Sequence, residues 1–360
     1  MNLETPVTDG PLTPAPARRR FQLKPITRRR WYNFKANRRG YWSLWIFLTL
    51  YVVSLFAELI ANDRPILVRY RGDLYVPVLA AYPETAFGGQ FETEADYKDP
   101  VVQDLIDRHG WMLWPPVRFS HDTIDFDIAE PAPSPPSPDH VFGTDTNAQD
   151  VFAKLLYGFR TSITFALILT ALSSAIGIAA GAIQGFFGGW TDLLFQRVIE
   201  ILQSLPVLYL LIIVASFVEP GFFTLIGVLL LVSWMSLVQV VRAEFLRGRN
   251  LDYVRAARAL GLSNIRIMFK HILPNAMVAA MTFIPFNLNT AIVLLAILDF
   301  LNFGLPSGYP SLGELLLQAR NNLHTPWLAI SGFMAMAVLL PLLIFIGEAV
   351  RDAFDPRKAT

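Results

Sequence analysis

The chain contains no cysteine, which excludes a disulfide framework and any metal site built on thiolates. It has no Gly-x-x-x-x-Gly-Lys-Ser/Thr run, so no loop in it would cradle nucleotide phosphates in the P-loop manner. Its five histidines are scattered and none sits in a His-Glu-x-x-His pattern, which removes the usual zinc-hydrolase signal. Charge is scarce too: 16% of the 360 residues are charged and 53% are hydrophobic, where a soluble domain carries about 25% charged residues. Rarest are ionisable residues deep inside apolar runs, since Glu58, Glu200, Asp299 and Glu348 all fall near run ends. An ion-driven carrier places carboxylates or histidines near the bilayer midplane. Their scarcity argues that any driving energy comes from outside this chain.

What is present is apolar length. A hydrocarbon core of about 30 Å needs roughly 20 apolar residues at about 1.5 Å each. Six runs meet that requirement: 41–60, 162–187, 198–218, 222–241, 276–298 and 327–347. The first 40 residues hold ten Lys or Arg against two acids, which places the amino terminus in the cytoplasm. Residues 62–140 reverse the balance, as a translocated segment tolerates. Six crossings return the carboxyl terminus to the cytoplasm, and the loop 242–275, with seven Lys or Arg against Glu244 and Asp252, falls inside.

The expected organisation is a basic amino-terminal segment 1–40, a first span 41–60, an acidic and Pro-rich outer insertion 61–140, and a core 141–360 with five further spans. Residues 1–16 read as a mobile tail. Residues 28–40 interleave Trp31, Tyr32 and Phe34 with basic residues, which suits an anionic inner leaflet; a charge cluster that only orients the first span accounts for them equally well, and nucleic-acid binding is the weakest reading. The insertion is either a small packed cap or a loosely ordered loop, and its prolines, Pro131 to Pro138, predict an extended spacer. After it, Asp145 or Thr146 is placed to cap a short interfacial helix that Arg160 anchors.

Within the second run Ser173, Gly177, Gly181 and Gly185 recur every four residues, a strip of small side chains suited to close helix packing. Gln203, Ser204, Ser233, Gln239, Asn287, Asn289 and Thr290 are the polar candidates to line a transport path. Helix-to-helix hydrogen bonding explains buried amides equally well. Pro206 and Pro285 each remove a helix hydrogen bond and mark possible kinks.

The loop between the fourth and fifth runs is too charged for lipid. From Asp252 to Gly261 the apolar Val254, Ala257 and Leu260 share one helix face while Arg255 and Arg258 project elsewhere, and Gly261 suits a left-handed helix end. Ile265, Met268, Phe269 and Ile272 form a second stripe, stopped at Pro274. Two short helices joined at a bend result. An interfacial helix lying on lipid is the alternative.

The spacing of Ala256-Ala257, Gly261 and Leu273-Pro274 resembles the cytoplasmic coupling loop of ATP-binding-cassette (ABC) importer permeases, whose pattern is Glu-Ala-Ala, three residues, Gly, nine residues, Ile-x-Leu-Pro. Arg255 stands at the Glu position and His271 at the Ile position. His140-Val-Phe-Gly-Thr-Asp145, Leu298-Asp-Phe-Leu-Asn-Phe-Gly-Leu-Pro306, Pro310-Ser-Leu-Gly-Glu314 and the carboxyl-terminal Gly347-Glu-Ala-Val-Arg351 extend the likeness to the second permease of oligopeptide and dipeptide importers, most similar to the Yej-type branch. That resemblance implies an all-α membrane protein of six transmembrane helices with cytoplasmic coupling helices and an outer insertion. It implies a bacterial inner-membrane permease for peptides or peptide-containing compounds such as microcin C-like or muropeptide cargo. Implied partners are a second permease, two cytoplasmic ABC ATPases or one fused ATPase, a periplasmic substrate-binding protein and membrane lipid, with no nucleic acid. ATP and Mg²⁺ would bind the ATPases, and this chain would hold no cofactor or metal and catalyse nothing. Coupling falls to Asp252, Tyr253, Arg255, Ala256, Ala257, Gly261, Leu273 and Pro274. From the residues alone, a membrane-anchored peptidase or cell-wall hydrolase with its site in the insertion, or an ion-driven carrier, stays open as an alternative.

Overall fold

The computed structural model describes residues 25–355 apart from 129, 216, 218–220 and 307; the expected tail 1–16 lies outside them. Helix α1 (Pro25–Ala36) and helix α2 (Arg38–Leu55) begin the chain. The insertion carries strands β1 (Leu67–Tyr70), β2 (Asp73–Tyr75) and β3 (Gly110–Leu113) with helix α3 (Pro100–Asp107). Then follow α4 (Val151–Phe187), α5 (Gly189–Ser204), α6 (Val207–Ala215), α7 (Phe222–Ser233), α8 (Met235–Gly248), α9 (Asp252–Ala259), α10 (Asn264–Ile267), α11 (Leu273–Phe300), α12 (Leu312–Asn321) and α13 (Pro326–Phe354).

Among the described residues, four helical stretches are long and apolar enough to cross a membrane: α4, α7 with α8, the stretch from Asn264 to Phe300, and α13. The pair α5 and α6 adds a fifth if it is one broken span. The run 198–218 is broken at the proline expected to kink it: α5 and α6 meet at 79°. Pro206 has no N–H to continue the ladder, and Leu205 before it is extended (φ −85°, ψ 121°). The first run also differs. Its helix stops at Leu55, and a 3₁₀ turn (Ala57–Leu59) follows. Ala57 and Ala61, both fully buried, pack on Ala153 and Tyr157 of α4, and the Tyr157 hydroxyl donates to the Ala61 carbonyl (3.0 Å). At 18 residues and beginning with two arginines, α2 is not among the four.

Helix α4 is the mast of the bundle. Its 37 residues span about 55 Å at 1.5 Å each, so it outreaches the hydrocarbon core. Asp150 starts it by accepting the Ala153 N–H (2.7 Å), a local N-cap; neither Asp145 nor Thr146 caps a helix. Arg160 pairs with Glu58 (2.7 Å) instead of reaching for headgroups alone. Leu169, Phe165, Leu229, Ile292, Leu339 and their neighbours fill the apolar centre between α4, α7, α11 and α13. At the opposite end, α1 lays Phe34 against Ala349 and Ala353 of α13, Asn37 donates to Asp352 (3.3 Å), and Arg30 stacks over Phe354 (4.4 Å). The basic segment is thus packed on protein along part of its length.

The insertion is a packed cap, and it breaks the all-α expectation. Strand β1 is central in an antiparallel order β2-β1-β3, as alternating Val68 and Tyr70, buried, and Arg69, exposed, favour. Phe87, Tyr97, Val102 and Ile106 complete its core. The prolines do not form an extended spacer either. The chain folds back so that the Ser134 N–H and hydroxyl meet Thr144 Oγ1 (2.9 and 2.8 Å) and the Thr144 N–H returns to the Ser134 carbonyl (2.9 Å). The two buried hydroxyls satisfy one another there.

Candidate functional site

Helix α9 is eight residues long and stands on two buried feet, Val254 and Ala257 (0% and 6% exposed). Beneath them lie Phe186 of α4, Phe245 of α8, and Ile267, Met268 and Ile272. Full burial of one such valine is worth about 1.5–3 kcal/mol, enough to hold a short helix that would not persist alone. Around this core Arg258 stacks over Phe186 (5.2 Å), the Tyr253 hydroxyl donates to the His271 carbonyl (3.4 Å), and Asn275 Nδ2 donates to the Tyr253 hydroxyl (3.3 Å). The loop is therefore tied to the C-terminal ends of α4 and α8 and the N-terminal end of α11 together. Asp252, Arg255 and Ala256 face outward; Asp252 and Arg255 are 4.0 Å apart with both side chains largely exposed, a pairing of little energetic weight.

Gly261 has φ +78° with open space around it, the left-handed geometry of a helix C-terminus. That turn moves Leu260 off the buried face, so Leu260, with Ile265 and Phe269, is exposed (80%, 70% and 65%). Each of the two expected apolar stripes is thus divided, with Val254, Ala257, Met268 and Ile272 buried and Leu260, Ile265 and Phe269 exposed. The expected stop at Pro274 is corrected. The backbone passes from α10 through a π-turn at Met268–Ile272 straight into α11. A wider turn, whose bonds reach five residues back, takes up the donor that Pro274 lacks and the room its ring needs. Leu273 is half-buried and Pro274 exposed.

The small strip faces α8. A Cβ at Gly177 would meet the Trp234 carbonyl, one at Gly181 the Val238 carbonyl (2.7 Å), and one at Gly185 the Arg242 carbonyl (2.6 Å). Ser173, one turn earlier, donates to the Thr170 carbonyl (3.2 Å). Near Gly185, Arg242 makes a bidentate pair with Asp192 of α5 (2.6 and 2.6 Å). The small residues permit the backbone approach on which this pairing of helices depends.

Of the expected path residues, three converge. Ser233, Asn287 and Thr290 line one cavity of about 120 Å³ with Thr170, Ser173 and Ser236. Asn287 Nδ2 donates to Ser236 Oγ (3.1 Å), and Thr170 Oγ1 is buried without a partner. Gln239 is not among the lining residues; it donates to Gln196 Oε1 (3.1 Å), and Gln196 donates in turn to Gln184 Oε1 (2.8 Å). Asn289 does not line the cavity; its Oδ1 is buried and unpartnered. Gln203 and Ser204 are exposed at the α5–α6 break, where Ser204 only donates to the Ile201 carbonyl (2.7 Å). Thr170, Ser236, Gln184 and Gln196 were missed by the sequence reading. Thr170 and Ser236 stand three residues from Ser173 and Ser233, the spacing of one helix face.

The N-terminal end of α4 holds two polar clusters. Lys154 meets Asp145 (2.5 Å) and Glu314 (3.0 Å), with Gln318 donating to both acids (3.1 and 3.0 Å). His140, almost fully buried, lies between Asp150 (2.8 Å) and Asp125 (3.0 Å). Burial pulls the His140 pKa down, but hydrogen bonds and charge from Asp150 and Asp125 outweigh it, and the net direction is up. Asp125 is pushed up by burial and pulled down further by His140, the Asp127 N–H and Lys98, ending below its usual value. These groups join the cap, the folded-back proline segment and α4. Ser311 caps α12 by accepting the Glu314 N–H (3.0 Å). Among the described residues no three His, Asp or Glu side chains gather as a metal site would require.

Residues 176–360 match the family described as binding-protein-dependent transport system inner membrane component. Residues 26–73 match the N-terminal TM domain of oligopeptide transport permease C. The chain is 54% identical to the peptidoglycan transport system permease protein YejE of Agrobacterium fabrum, covering 93% of this chain and 94% of that protein. It is 56% identical to the inner membrane ABC transporter permease protein YejE of Escherichia coli, covering 94% and 99%. It is 34% identical to the oligopeptide transport system permease protein OppC of Bacillus subtilis, covering 67% and 78%. The chain belongs to the family of binding-protein-dependent transport system inner membrane components, and it is a transport subunit.

Proposed function

We propose that this family member is the permease of an ATP-driven importer whose cargo is peptide, peptide-bearing cell-wall fragments included. The names of the relatives support the cargo class: one serves peptidoglycan transport and another oligopeptide transport. The coupling mechanism rests on one observation, the α9 knob. It is clamped underneath by Val254 and Ala257 and offers Leu260, Ile265 and Phe269 on its outer side. A stiff anchor passes motion on to the spans, and an outward apolar tip fits a cleft on a cytoplasmic ATPase. In this reading Asp252, Tyr253, Arg255, Ala256, Ala257, Gly261, Leu273 and Pro274 form the lever, and Ser233, Gln239, Asn287 and Thr290 face the path.

The assembly comprises this chain, a second permease, two ATPases or one fused ATPase, and a periplasmic binding protein. ATP and Mg²⁺ bind the ATPases. Six crossings are completed by α2 as the first and the bent α5–α6 pair as the third, with both termini cytoplasmic. The absence of native cysteine makes the test clean. Leu260→Cys or Ile265→Cys, each the only thiol in this chain, should cross-link to the ATPase and be labelled from the cytoplasmic side only. Proteoliposomes of the full complex should take up peptide only with ATP and binding protein. Labelling of either position from the outside, or peptide uptake that ignores ATP, sinks the assignment.

A further inference from the structure

The cavity between α4, the α7–α8 junction and α11 lies near the midpoint of α4, of α11 and of the joined stretch from Phe222 to Gly248, and hydroxyls and one carboxamide supply its polar lining. No Asp, Glu, Lys, Arg or His lines it. Thr170 is 5% exposed, lines the cavity, and its Oγ1 has no partner. A buried hydroxyl left unbonded in native protein calls for an occupant. The mouth is polar as well: Ser236 and Thr290 are exposed and Asn287 is partly so. Such groups are costly against lipid tails, so the mouth faces protein or a polar path and not hydrocarbon.

The size and chemistry narrow the occupant. At about 30 Å³ of liquid volume per water, about 120 Å³ takes a few waters or one amide group, not a whole peptide. Asn287 offers an acceptor and a second N–H beyond the one given to Ser236; the Ser173, Ser233, Ser236 and Thr290 hydroxyls already donate to carbonyls of their own helices and so only accept, which leaves the Thr170 hydroxyl to donate or accept. That set matches a peptide group, which presents one N–H and one C=O. It offers no counter-charge to a carboxylate or an ammonium.

Resting on the peptide-import reading, we propose that this cavity is an intramembrane binding site for a single neutral main-chain amide of the cargo. Every peptide carries that group, so the site grips cargo in passage without reading side-chain charge. Selection by charge then has to arise by placing a charge there.

The test uses the complete complex in proteoliposomes with one binding protein throughout. The probes are two alanine-based peptides of equal length, one with a central Lys and one with a central Glu, and uptake is normalised to ATP hydrolysed. Asn287→Asp should raise the Lys-to-Glu uptake ratio about tenfold over wild type, and Asn287→Lys should lower it by a similar factor. The near-isosteric Thr170→Val should lower uptake of both peptides severalfold and leave their ratio alone. Ser236→Cys should react with a thiol reagent more slowly during peptide turnover than without peptide. If the ratio is unchanged in both Asn287 variants, or Ser236→Cys labels at the same rate with and without peptide, the cavity holds only water and the proposal falls. A wild-type complex that moves neither peptide overturns the peptide-import reading instead.

Discussion

Gly181→Ala tests whether the approach of α4 to α8 sets the geometry of the bundle. Within a helix, alanine is favoured over glycine by about 1 kcal/mol, so without tertiary contact the substitution stabilises. Here the added Cβ would lie 2.7 Å from the Val238 carbonyl oxygen, 2.9 Å from Val241 Cβ and 3.1 Å from the Arg242 nitrogen. Two of the three are backbone atoms, which no rotamer change can move aside. Relief requires parting the helices by several tenths of an ångström, and overpacking of that kind costs about 1–3 kcal/mol. The separation also loosens the contacts at Gly177 and Gly185, where a radial gap of about 0.5–1 Å forfeits a quarter to a half of each dispersion well. The expected net effect is destabilisation of about 1 kcal/mol. The triple Gly177, Gly181, Gly185→Ala variant should lose less than three times that, because a single displacement relieves all three clashes. Gly227, in the interior of α7 with nothing within 4 Å of its added Cβ, is the control: Gly227→Ala should gain up to about 1 kcal/mol. Thermal unfolding of the purified complex in nanodiscs reads both. If Gly181→Ala melts at or above wild type while Gly227→Ala behaves as stated, the close approach does not constrain the bundle and the reasoning fails.

Gly261→Val should cost about 1–2 kcal/mol of local backbone strain, since a left-handed φ is unfavourable for any residue with a Cβ; no side chain blocks the substitution. The loss should appear as faster amide exchange across Asp252–Ala259 and as lower uptake per ATP hydrolysed, and unaltered exchange would count against the hinge. Lys154→Met should destabilise by about 3–5 kcal/mol by leaving fully buried Asp145 without its cation. Replacing both Lys154 and Asp145 by apolar residues of similar volume should recover most of that in a melting experiment, and equal loss in the double variant refutes the pairing. The His140 clamp should vary with pH in a defined sense. A raised His140 pKa gives stability that is full below the ordinary histidine value of about 6.5 and is lost as pH rises through the folded value. A lowered Asp125 pKa gives stability present above about 3.9 and lost as pH falls through the folded value. Exchange protection of the cap should therefore be greatest between these limits, and His140→Asn should abolish the decline on the alkaline side.

The outcome at Pro274 shows how far local patterns reach. A proline after an apolar stripe ordinarily ends a helix, yet here a π-turn, visible only once α10 and α11 are seen as collinear, lets the chain run on. At Pro206 the same local rule produced a break. Proline removes a donor in both cases, and the packing around it decides whether the neighbouring turn widens or parts. Leu260 and Phe269 make the same point for periodicity. Their spacing marked them as apolar positions on a helix, but Gly261 and the π-turn rotate them outward.

By itself the sequence determined the class of protein, because apolar length against bilayer thickness is a one-dimensional quantity. It also located the basic loop and the four-residue recurrence of small side chains, both set by neighbours within a few helical turns. Only the tertiary structure decided that the acidic insertion folds as a cap around a three-stranded sheet and that the prolines fold back on Thr144. Only it brought Thr170, Ser236 and Asn287 to one cavity while leaving Gln203 outside. Those residues are more than fifty positions apart in the chain, and a helix's periodicity states which side chains share a face without stating what that face will meet. The meeting was fixed by backbone approach at Gly177, Gly181 and Gly185, where a missing side chain lets two helices come close enough to enclose polar groups between them.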